Sequence, residues 1–249
     1  MTLIKHIPNF ITSLNLTAGF IAIIFAANND LMTSSWFILA AMLFDFTDGF
    51  SARLLKAYSS IGKELDSLAD VVSFGVAPAM IIYKLISISP SFTTTISGYS
   101  WISSYTFFSG YIAVLMPVCA ALRLAKFNID STQTISFKGL PTPANAFAVI
   151  SVVIAAKYSE IAVLKSITES PVILSVYTVI LSLMMVSRIP MLSLKMTNFR
   201  IKGNEGRYIL LGLVLISVIT SGISSAPLII PFYLVASLIS RFFGSEAIE

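Results

Sequence analysis

Long apolar segments alternate with short polar segments along the whole chain. Eight apolar segments lie at about residues 10–28, 33–57, 62–89, 100–127, 142–160, 170–190, 206–223 and 225–243. Their lengths are close to the roughly 20 residues with which an α-helix crosses the hydrocarbon core of a bilayer. The last two are separated by the sequence SGISSAP, where Gly222 and Pro227 favour a tight turn over one very long helix. The pattern predicts about eight transmembrane helices.

The composition supports this membrane interpretation. Of the 249 residues, 56% are apolar and 11% are charged, whereas a soluble domain carries about 25% charged residues. The mean hydropathy is +0.89. A chain with so few polar side chains cannot cover itself with a hydrated surface, so a soluble globular domain is nearly excluded. We therefore expect an all-α integral membrane protein in which residues 1–249 form a single polytopic helical bundle.

The basic residues are unevenly distributed between the two sides of the predicted helices. The formal net charge is +4, but the basic residues lie between apolar segments instead of forming the dense patch typical of nucleic-acid binding. One side receives 13 of the 16 lysines and arginines, namely Lys5, Arg53, Lys56, Lys63, Arg123, Lys126, Lys138, Arg188, Lys195, Arg200, Lys202, Arg207 and Arg241. The other side receives Lys84, Lys157 and Lys165. Because lysine and arginine collect in cytoplasmic loops, both termini are expected to face the cytoplasm from an inner or plasma membrane.

The chain contains one cysteine and one histidine, and this limits its chemistry. Cys119 has no partner for an intramolecular disulfide or a CxxC motif, so neither redox catalysis nor a thiolate zinc site is supported. His6 has no second histidine with which to form the paired HxK motifs of phospholipase D-like enzymes. We interpret Cys119 as a packing residue and His6 as an interfacial residue before the first helix.

Four aspartates lie in or against apolar helices, where an unpaired carboxylate is energetically unfavourable. Asp45 and Asp48 are three residues apart, and Asp66 and Asp70 are four residues apart. Each pair therefore projects from one face of its helix, and two antiparallel helices would direct all four carboxylates to one point. Hard oxygen ligands suit Mg²⁺, Mn²⁺ or Ca²⁺. A divalent metal site is predicted near the cytoplasmic face, with a buried structural network or a proton path as the alternatives.

The residues beside the first acidic pair suggest a phosphate ligand. Gly49 has no side chain to obstruct a ligand, and Ala52 keeps the same helical surface small. Arg53 lies one turn beyond Gly49 and carries a planar guanidinium that suits phosphate oxygens. Metal ions and an arginine beside a surface of small residues favour binding of a diphosphate.

These residues together resemble the signature of the CDP-alcohol phosphatidyltransferase family. The sequence DFTDGFSAR occupies residues 45–53, and Gly62, Asp66 and Asp70 follow at fixed spacing. The resemblance implies a six-helix core, to which this chain adds a C-terminal helix pair at about residues 206–243. It also implies two divalent ions, Mg²⁺ or Mn²⁺, that bind the diphosphate of a CDP-linked lipid while an alcohol displaces CMP.

The resemblance assigns roles residue by residue. It implies that Asp45, Asp48, Asp66 and Asp70 are metal ligands, and that Asp70 is also the general base that deprotonates the acceptor hydroxyl. The CDP-lipid would be contacted by Pro8, Asn9, Gly49, Ala52, Arg53, Ser59 and Gly62. Enzymes of this family are commonly homodimers, so a homodimer is expected.

Further segments suggest the acceptor alcohol. The sequences GKELDSLADVVSFGVAPA, ALRLAKFNID, FKGLPTPANA and MVSRIPMLSLK lie between about residues 62 and 195 and resemble the integral-membrane phosphatidylserine synthases. The resemblance implies CDP-diacylglycerol and L-serine as substrates. Arg123 and Asn128 are candidates for binding the serine, although an orientation-setting charge and a helix cap are equally good interpretations. Lys126 and Lys138 are better interpreted as ordinary cytoplasmic-side charges.

Two alternatives stay open at this point. The same chemistry could use glycerol 3-phosphate or an inositol phosphate as acceptor, and either would need additional arginines in the acceptor pocket. Outside the signature and the loop at residues 195–207, only Arg123 and Arg188 lie near helix ends that are expected to face the pocket. A membrane cation transporter could use the aspartate cluster, but it would predict acids at the middle of helices in both halves of an internal repeat. Residues 142–241 contain no acid at the middle of an apolar segment.

Overall fold

A computed structural model of the protein describes residues 6–89, 109–129, 137–159, 161–192 and 204–243. The helices in these ranges are α1 (Ile7–Ala27), α2 (Leu31–Leu54), α3 (Ser60–Asp70), α4 (Ala77–Ile88), α5 (Leu115–Ile129), α6 (Thr142–Tyr158), α7 (Ala162–Glu169), α8 (Pro171–Val186), α9 (Glu205–Ser221) and α10 (Ile229–Phe243). A π-helical segment, Val71–Val76, joins α3 to α4 without a break. The helical class predicted from the sequence is confirmed.

Four helical segments are long and apolar enough to cross a membrane, namely Ile7–Ala27, Ser60–Ile88, Ser109–Ile129 and Glu205–Ser240. The last of these is divided into α9 and α10 by a 3₁₀ segment. The apolar helices α6 and α8 are shorter, at 17 and 16 residues. An all-α integral membrane fold therefore holds for this chain, and the number of eight spans stays a prediction. The predicted segment at 100–127 begins among residues outside the described ranges.

Polar side chains begin several of these helices. The carboxylate of Asp30 accepts a hydrogen bond from the backbone N–H of Thr33 at 3.0 Å and caps α2. This bond lowers the pKa of Asp30, because it favours the charged carboxylate. Ser59 caps α3 in the same way by accepting from the N–H of Gly62 at 2.9 Å. A cap satisfies N–H groups that have no partner within the helix, and so fixes where it starts.

Small residues let α1 pack closely against its neighbours. Ala18, Ala22 and Ala26 are buried on α1, and Ala41 is buried on α2. Small side chains permit close approach of helix backbones in a membrane, where dispersion contacts drive helix association. Helix α1 contacts α2, α3 and the π-helical segment, so the helices that carry the four aspartates pack around it.

The last two helices form an antiparallel hairpin. A Cβ atom added at Gly206, near the start of α9, would lie 3.0 Å from the carbonyl oxygen of Ala236 in α10. The helices are joined by a 3₁₀ segment, Gly222–Leu228, within which Pro227 lies. The turn predicted from SGISSAP is therefore present, and it reverses the chain direction.

Two features of the structure were not predicted. A two-residue strand β1 (Phe137–Lys138) pairs antiparallel with β2 (Pro190–Met191), and the short helix α7 lies between α6 and α8. Helix α10 holds the end of this ribbon, because the Tyr233 hydroxyl donates to the carbonyl of Leu192 at 3.0 Å. Lys5, Lys195, Arg200 and Lys202, four of the basic residues used to predict orientation, lie outside the described residues.

Candidate active site

The two acidic pairs meet between α2 and α3. Oxygen atoms of Asp45, Asp48 and Asp66 all lie within 4.8 Å of one another. Asp70 lies outside this group of three, but its carboxyl group is close enough to Asp45 and Asp66 to interact electrostatically. The convergence predicted from the spacing of the aspartates is thus present for three of them, with the fourth beside them.

The environment of these carboxylates suits a hard cation. Asp48 is 5% exposed and Asp70 is 7% exposed. Asp66 has a buried oxygen, Oδ1, with no hydrogen-bond partner among the described residues. Carboxylates held this close repel one another unless protons or a cation intervene, and an unpartnered buried oxygen is available as a ligand. The donor set, all carboxylate oxygen, fits Mg²⁺ or Mn²⁺.

The cluster lies near one end of both helices. Asp48 is six residues before the end of α2 at Leu54, and Asp66 is six residues after the start of α3 at Ser60. With a rise of 1.5 Å per residue, the acids lie roughly 9 Å inside the helix ends. A water-soluble group could reach the acids from this end of the bundle while an acyl chain remains in lipid.

A cavity of about 400 Å³ opens beside the acidic cluster. Its lining includes all seven residues assigned to the CDP-lipid, namely Pro8, Asn9, Gly49, Ala52, Arg53, Ser59 and Gly62. Asp48 and Asp66 also line it. Cavities of this size commonly hold small ligands and cofactors. The structure thus gathers these residues from α1, α2 and the start of α3, while their contact with a nucleotide stays a prediction.

Gly62 lets the wall of this cavity close. A Cβ atom added there would lie 2.8 Å from Asn9 Oδ1 and 2.8 Å from Ser59 Oγ. Any side chain at this position would displace both the Asn9 amide and the side chain of the serine that caps α3. The glycine in the signature is therefore required by the close approach of α1 to α3.

A second cavity, of about 420 Å³, carries positive charge. Four basic residues line it: Arg123, Lys126, Lys138 and Arg188. They come from the end of α5, from β1 and from the segment after α8. Arg123 is close enough to Asp70 for their charges to interact, and its Nε atom has no hydrogen-bond partner among the described residues. The guanidinium therefore has a free donor between the basic cavity and the acidic cluster.

Asn128 has a different position from the one expected for an acceptor ligand. Its side-chain amide donates to Ser67 Oγ at 2.9 Å, and its backbone carbonyl accepts from Lys63 Nζ at 3.1 Å. It is not among the residues that line the basic cavity. Asn128 thus ties the end of α5 to α3.

Several lining residues were missed by the sequence analysis. Thr12, Tyr58 and Lys63 line the cavity beside the acids, and Arg188 lines the basic cavity without having been chosen as an acceptor ligand. The spacing of Thr12 after Asn9, close to one helical turn, could have placed it on the same face of α1. Arg188 was noted only as a spare arginine near a helix end, because the pairing of the segment after α8 with β1 is not visible in the sequence.

Comparison with known proteins gives consistent matches. A sequence profile described as CDP-alcohol phosphatidyltransferase matches residues 5–186. A Bacillus subtilis strain 168 protein named CDP-diacylglycerol--serine O-phosphatidyltransferase is 36% identical over 187 residues, covering 74% of this chain and 89% of the relative. A Helicobacter pylori strain 26695 protein of the same name is 31% identical over 240 residues, covering 95% and 91%.

An archaeal protein extends this set. The archaetidylserine synthase of Methanothermobacter thermautotrophicus is 31% identical over 157 residues, which cover 62% of this chain and 60% of the relative. The profile match spans α1 to α8, and therefore includes all four aspartates, the cavity beside them and the lining of the basic cavity except Ser187 and Arg188. The chain belongs to the CDP-alcohol phosphatidyltransferase family.

Proposed function

We propose that this protein transfers the phosphatidyl group of CDP-diacylglycerol to the hydroxyl of L-serine, giving phosphatidylserine and CMP. The observation that carries the proposal is the meeting of Asp45, Asp48 and Asp66 within 4.8 Å beside a cavity lined by the glycines and arginine of the signature. Two relatives that cover most of the chain carry the name of this activity, which supports serine over another alcohol.

Two divalent ions, Mg²⁺ or Mn²⁺, would be held by the four aspartates, with Asp70 contributing to the second ion. When bound, these ions neutralise charge on the diphosphate and on the departing CMP. Asp66 Oδ1, which has no hydrogen-bond partner in the part of the chain that the structure describes, and the short distances within the triad support this assignment. The Arg53 guanidinium, which lines the same cavity, would bind a phosphate oxygen of the CDP-lipid.

Asp70 would act as the general base. An alcohol is a poor nucleophile at neutral pH, so a carboxylate must accept its proton as the attack begins. The serine oxygen forms a bond to the phosphorus that bears diacylglycerol, the bond from that phosphorus to the CMP oxygen breaks, and the proton passes to Asp70. Asp70 lies beside the triad of Asp45, Asp48 and Asp66 and not within it. Its carboxylate could therefore accept the proton of the serine hydroxyl and also contribute to the second ion.

The serine would bind from the basic cavity. Arg123 interacts electrostatically with Asp70 and lines this cavity, so a carboxylate bound to Arg123 lies near the proposed base. Lys126, Lys138 and Arg188 would add positive potential around the amino acid. Asn128 would support this site indirectly, through its hydrogen bonds to α3.

We place the acidic cluster on the cytoplasmic side of an inner or plasma membrane, with both termini on that side. The excess of lysine and arginine at the helix ends nearest the cluster supports this orientation. A homodimer is proposed from family resemblance. Lipid would cover the exposed apolar residues of the helices, among them Leu211, Leu215 and Ile219 on α9.

The test is CMP release by the purified protein in detergent, with CDP-diacylglycerol and Mn²⁺ or Mg²⁺. L-serine, glycerol 3-phosphate and inositol phosphate are compared as acceptors, and Asp70→Asn is the inactive variant. Serine-dependent release that this substitution abolishes is the expected result. Release with a different acceptor overturns the choice of serine. Absence of release from folded, metal-loaded protein overturns the enzyme and favours the cation transporter.

A further inference from the structure

Helix α1 contacts the acidic cluster through two buried polar side chains. The Thr12 hydroxyl donates to Asp48 Oδ2 at 2.6 Å. The Asn15 amide nitrogen donates to Asp70 Oδ1 at 3.3 Å. Thr12 is 3% exposed and Asn15 is fully buried. The two residues are three apart, so one face of α1 reaches one carboxylate from each acidic pair.

The bond from Thr12 is the stronger of the two. The hydroxyl also lies 3.0 Å from the carbonyl of Pro8, but it has a single proton. A distance of 2.6 Å is typical of a hydroxyl that donates to a charged carboxylate. We therefore assign the hydrogen bond of the Thr12 hydroxyl to Asp48 and not to the carbonyl of Pro8. This bond fixes the orientation of the Asp48 carboxylate through its Oδ2 atom.

Asn15 is itself held in place by the segment that follows Asp70. The hydroxyl of Ser73, in the π-helical segment, donates to the backbone carbonyl of Asn15 at 3.0 Å. The side-chain amide and the backbone of Asn15 thus both bind the chain around Asp70. A π-helical turn within an α-helix is rare and is frequently found at functional sites.

The other end of the Asn15 amide indicates why an asparagine is present. Its Oδ1 is buried and has no hydrogen-bond partner among the described residues. A buried unsatisfied acceptor destabilises a fold, so packing alone would favour an apolar residue at this position. The useful part of the side chain is therefore the NH₂ group, which is directed at Asp70.

We infer that Thr12 and Asn15 are positioning residues, which fix the orientation of the Asp48 and Asp70 carboxylates toward metal or substrate. The inference rests on the proposed role of these aspartates. Groups that hydrogen-bond metal ligands from outside fix the orientation of those ligands, and their loss typically weakens metal binding or activity by about 10–100-fold.

The first test measures Mn²⁺ binding to the full-length protein in detergent, without substrates, from the electron paramagnetic resonance signal of free Mn²⁺. Thr12→Val removes the hydroxyl while keeping the shape of the side chain, and Thr12→Ser retains the hydroxyl. Thr17→Val is the matched control, because the Thr17 hydroxyl donates to the carbonyl of Ser13 one turn earlier on the same helix. We expect Thr12→Val to raise the Kd for Mn²⁺ about tenfold, with both other variants within twofold of wild type.

The outcomes separate this inference from the proposed function. Wild-type protein that binds no Mn²⁺ overturns the metal site and the inference together. Equal Mn²⁺ binding by wild type and Thr12→Val overturns the inference alone. With substrates present, the Thr12→Val rate should recover at excess Mn²⁺, which a general loss of folding would not allow.

The second test separates kcat from KM. Asn15→Leu removes the donor to Asp70. Asn145→Leu is the control, because Asn145 is equally buried and its Oδ1 also has no partner among the described residues. The amide nitrogen of Asn145 donates to the carbonyl of Phe74 and not to an aspartate. Because the two asparagines have similar surroundings, we expect both substitutions to change the thermal stability of the protein by a similar amount, and thermal unfolding measures this. We expect kcat to fall about 10–100-fold in Asn15→Leu only, with an unchanged KM for CDP-diacylglycerol. Equal losses of kcat in the two variants overturn the role of Asn15.

Discussion

The acidic cluster and the basic cavity differ in how the chain builds them. The four aspartates lie within 26 consecutive residues, on two helices that follow one another in sequence. The four cations of the basic cavity come from α5, β1 and the segment after α8, and they span residues 123–188. A site made from neighbouring helices depends on helical spacing, whereas a site made from distant segments depends on tertiary packing.

The two regions also differ in the kind of ligand they suit. Clustered carboxylates require a cation, and a small-residue surface with one arginine beside them suits a diphosphate. The basic cavity suits an anion or the carboxylate of a zwitterion. Arg123 and Asp70, whose charges interact, are the point at which the two regions meet. Metal removal or a substitution can therefore perturb one region while the other is left intact.

The largest expected effect follows removal of metal from the acidic region. A chelator should lower the rate of CMP release by more than about 10³-fold, because several kcal/mol of charge stabilisation are lost and each 1.36 kcal/mol is a factor of ten. Adding back Mn²⁺ or Mg²⁺ should restore the rate. Asp66→Asn should reproduce the loss without a chelator. Activity that persists in chelated, metal-free protein would contradict the assignment of the four aspartates.

The next effect is expected in the basic region. Arg123→Gln should raise the KM for L-serine about 10–100-fold, since losing a buried charged partner costs 2 kcal/mol or more and 1.4 kcal/mol is a factor of ten. The KM for CDP-diacylglycerol should not change. Initial rates over a range of serine concentrations measure this. Lys157→Gln, at the end of α6, is the control, and an unchanged serine KM in Arg123→Gln would move the acceptor elsewhere.

These two regions show how far the sequence could predict the site. Spacings of three and four residues were enough to place each acidic pair on one face of its helix, because helical geometry is local. The meeting of Asp45, Asp48 and Asp66 needed the further expectation that the two helices run antiparallel side by side. Arg123 was found as a candidate from its place at a helix end. Arg188 was noted near a helix end but was not chosen as an acceptor ligand. The pairing of β1 with β2 joins residues about fifty apart, and two-residue strands have no periodicity to detect.

The fold shows the same division. The apolar segments predicted the helices to within a few residues at most ends, because length and hydropathy alone decide which segments can lie in lipid. The π-helical segment Val71–Val76 gave no signal, as it is continuous with α3 and α4 and equally apolar. Contacts such as that of Asn15 with Asp70 depend on which face of α1 turns toward α3, and hydropathy does not determine this where all faces are apolar.

A smaller effect is expected at the wall of the acidic region. Gly62→Ala introduces a Cβ atom 2.8 Å from both Asn9 Oδ1 and Ser59 Oγ, so both side chains must move. Because both contacts are side-chain ends and the displacement is under 1 Å, the KM for CDP-diacylglycerol should rise about tenfold or less. The serine KM should stay constant. An equal rise in the KM for CDP-diacylglycerol and the KM for L-serine would indicate a general disturbance of α3. It would contradict the separation of the acidic region from the basic cavity.

The smallest effect concerns an aspartate outside both regions. Asp30 caps α2 at the end opposite Asp45 and Asp48, so Asp30→Ala should lower the apparent Tm by a few degrees and leave CMP release within about twofold of wild type. Asp30→Asn retains an acceptor for the Thr33 N–H and should keep most of the stability.

Because the hydrogen bond lowers the pKa of Asp30 in the folded protein, its stabilisation is complete above the unfolded pKa of about 3.9 and is lost as pH falls through the lower folded value. Thermal unfolding at neutral pH should therefore separate Asp30→Ala from wild type, and the difference should shrink in acid. A large loss of activity in Asp30→Ala would show that the acids of α2 act together along the whole helix, and that the acidic region is not confined to one end of the bundle.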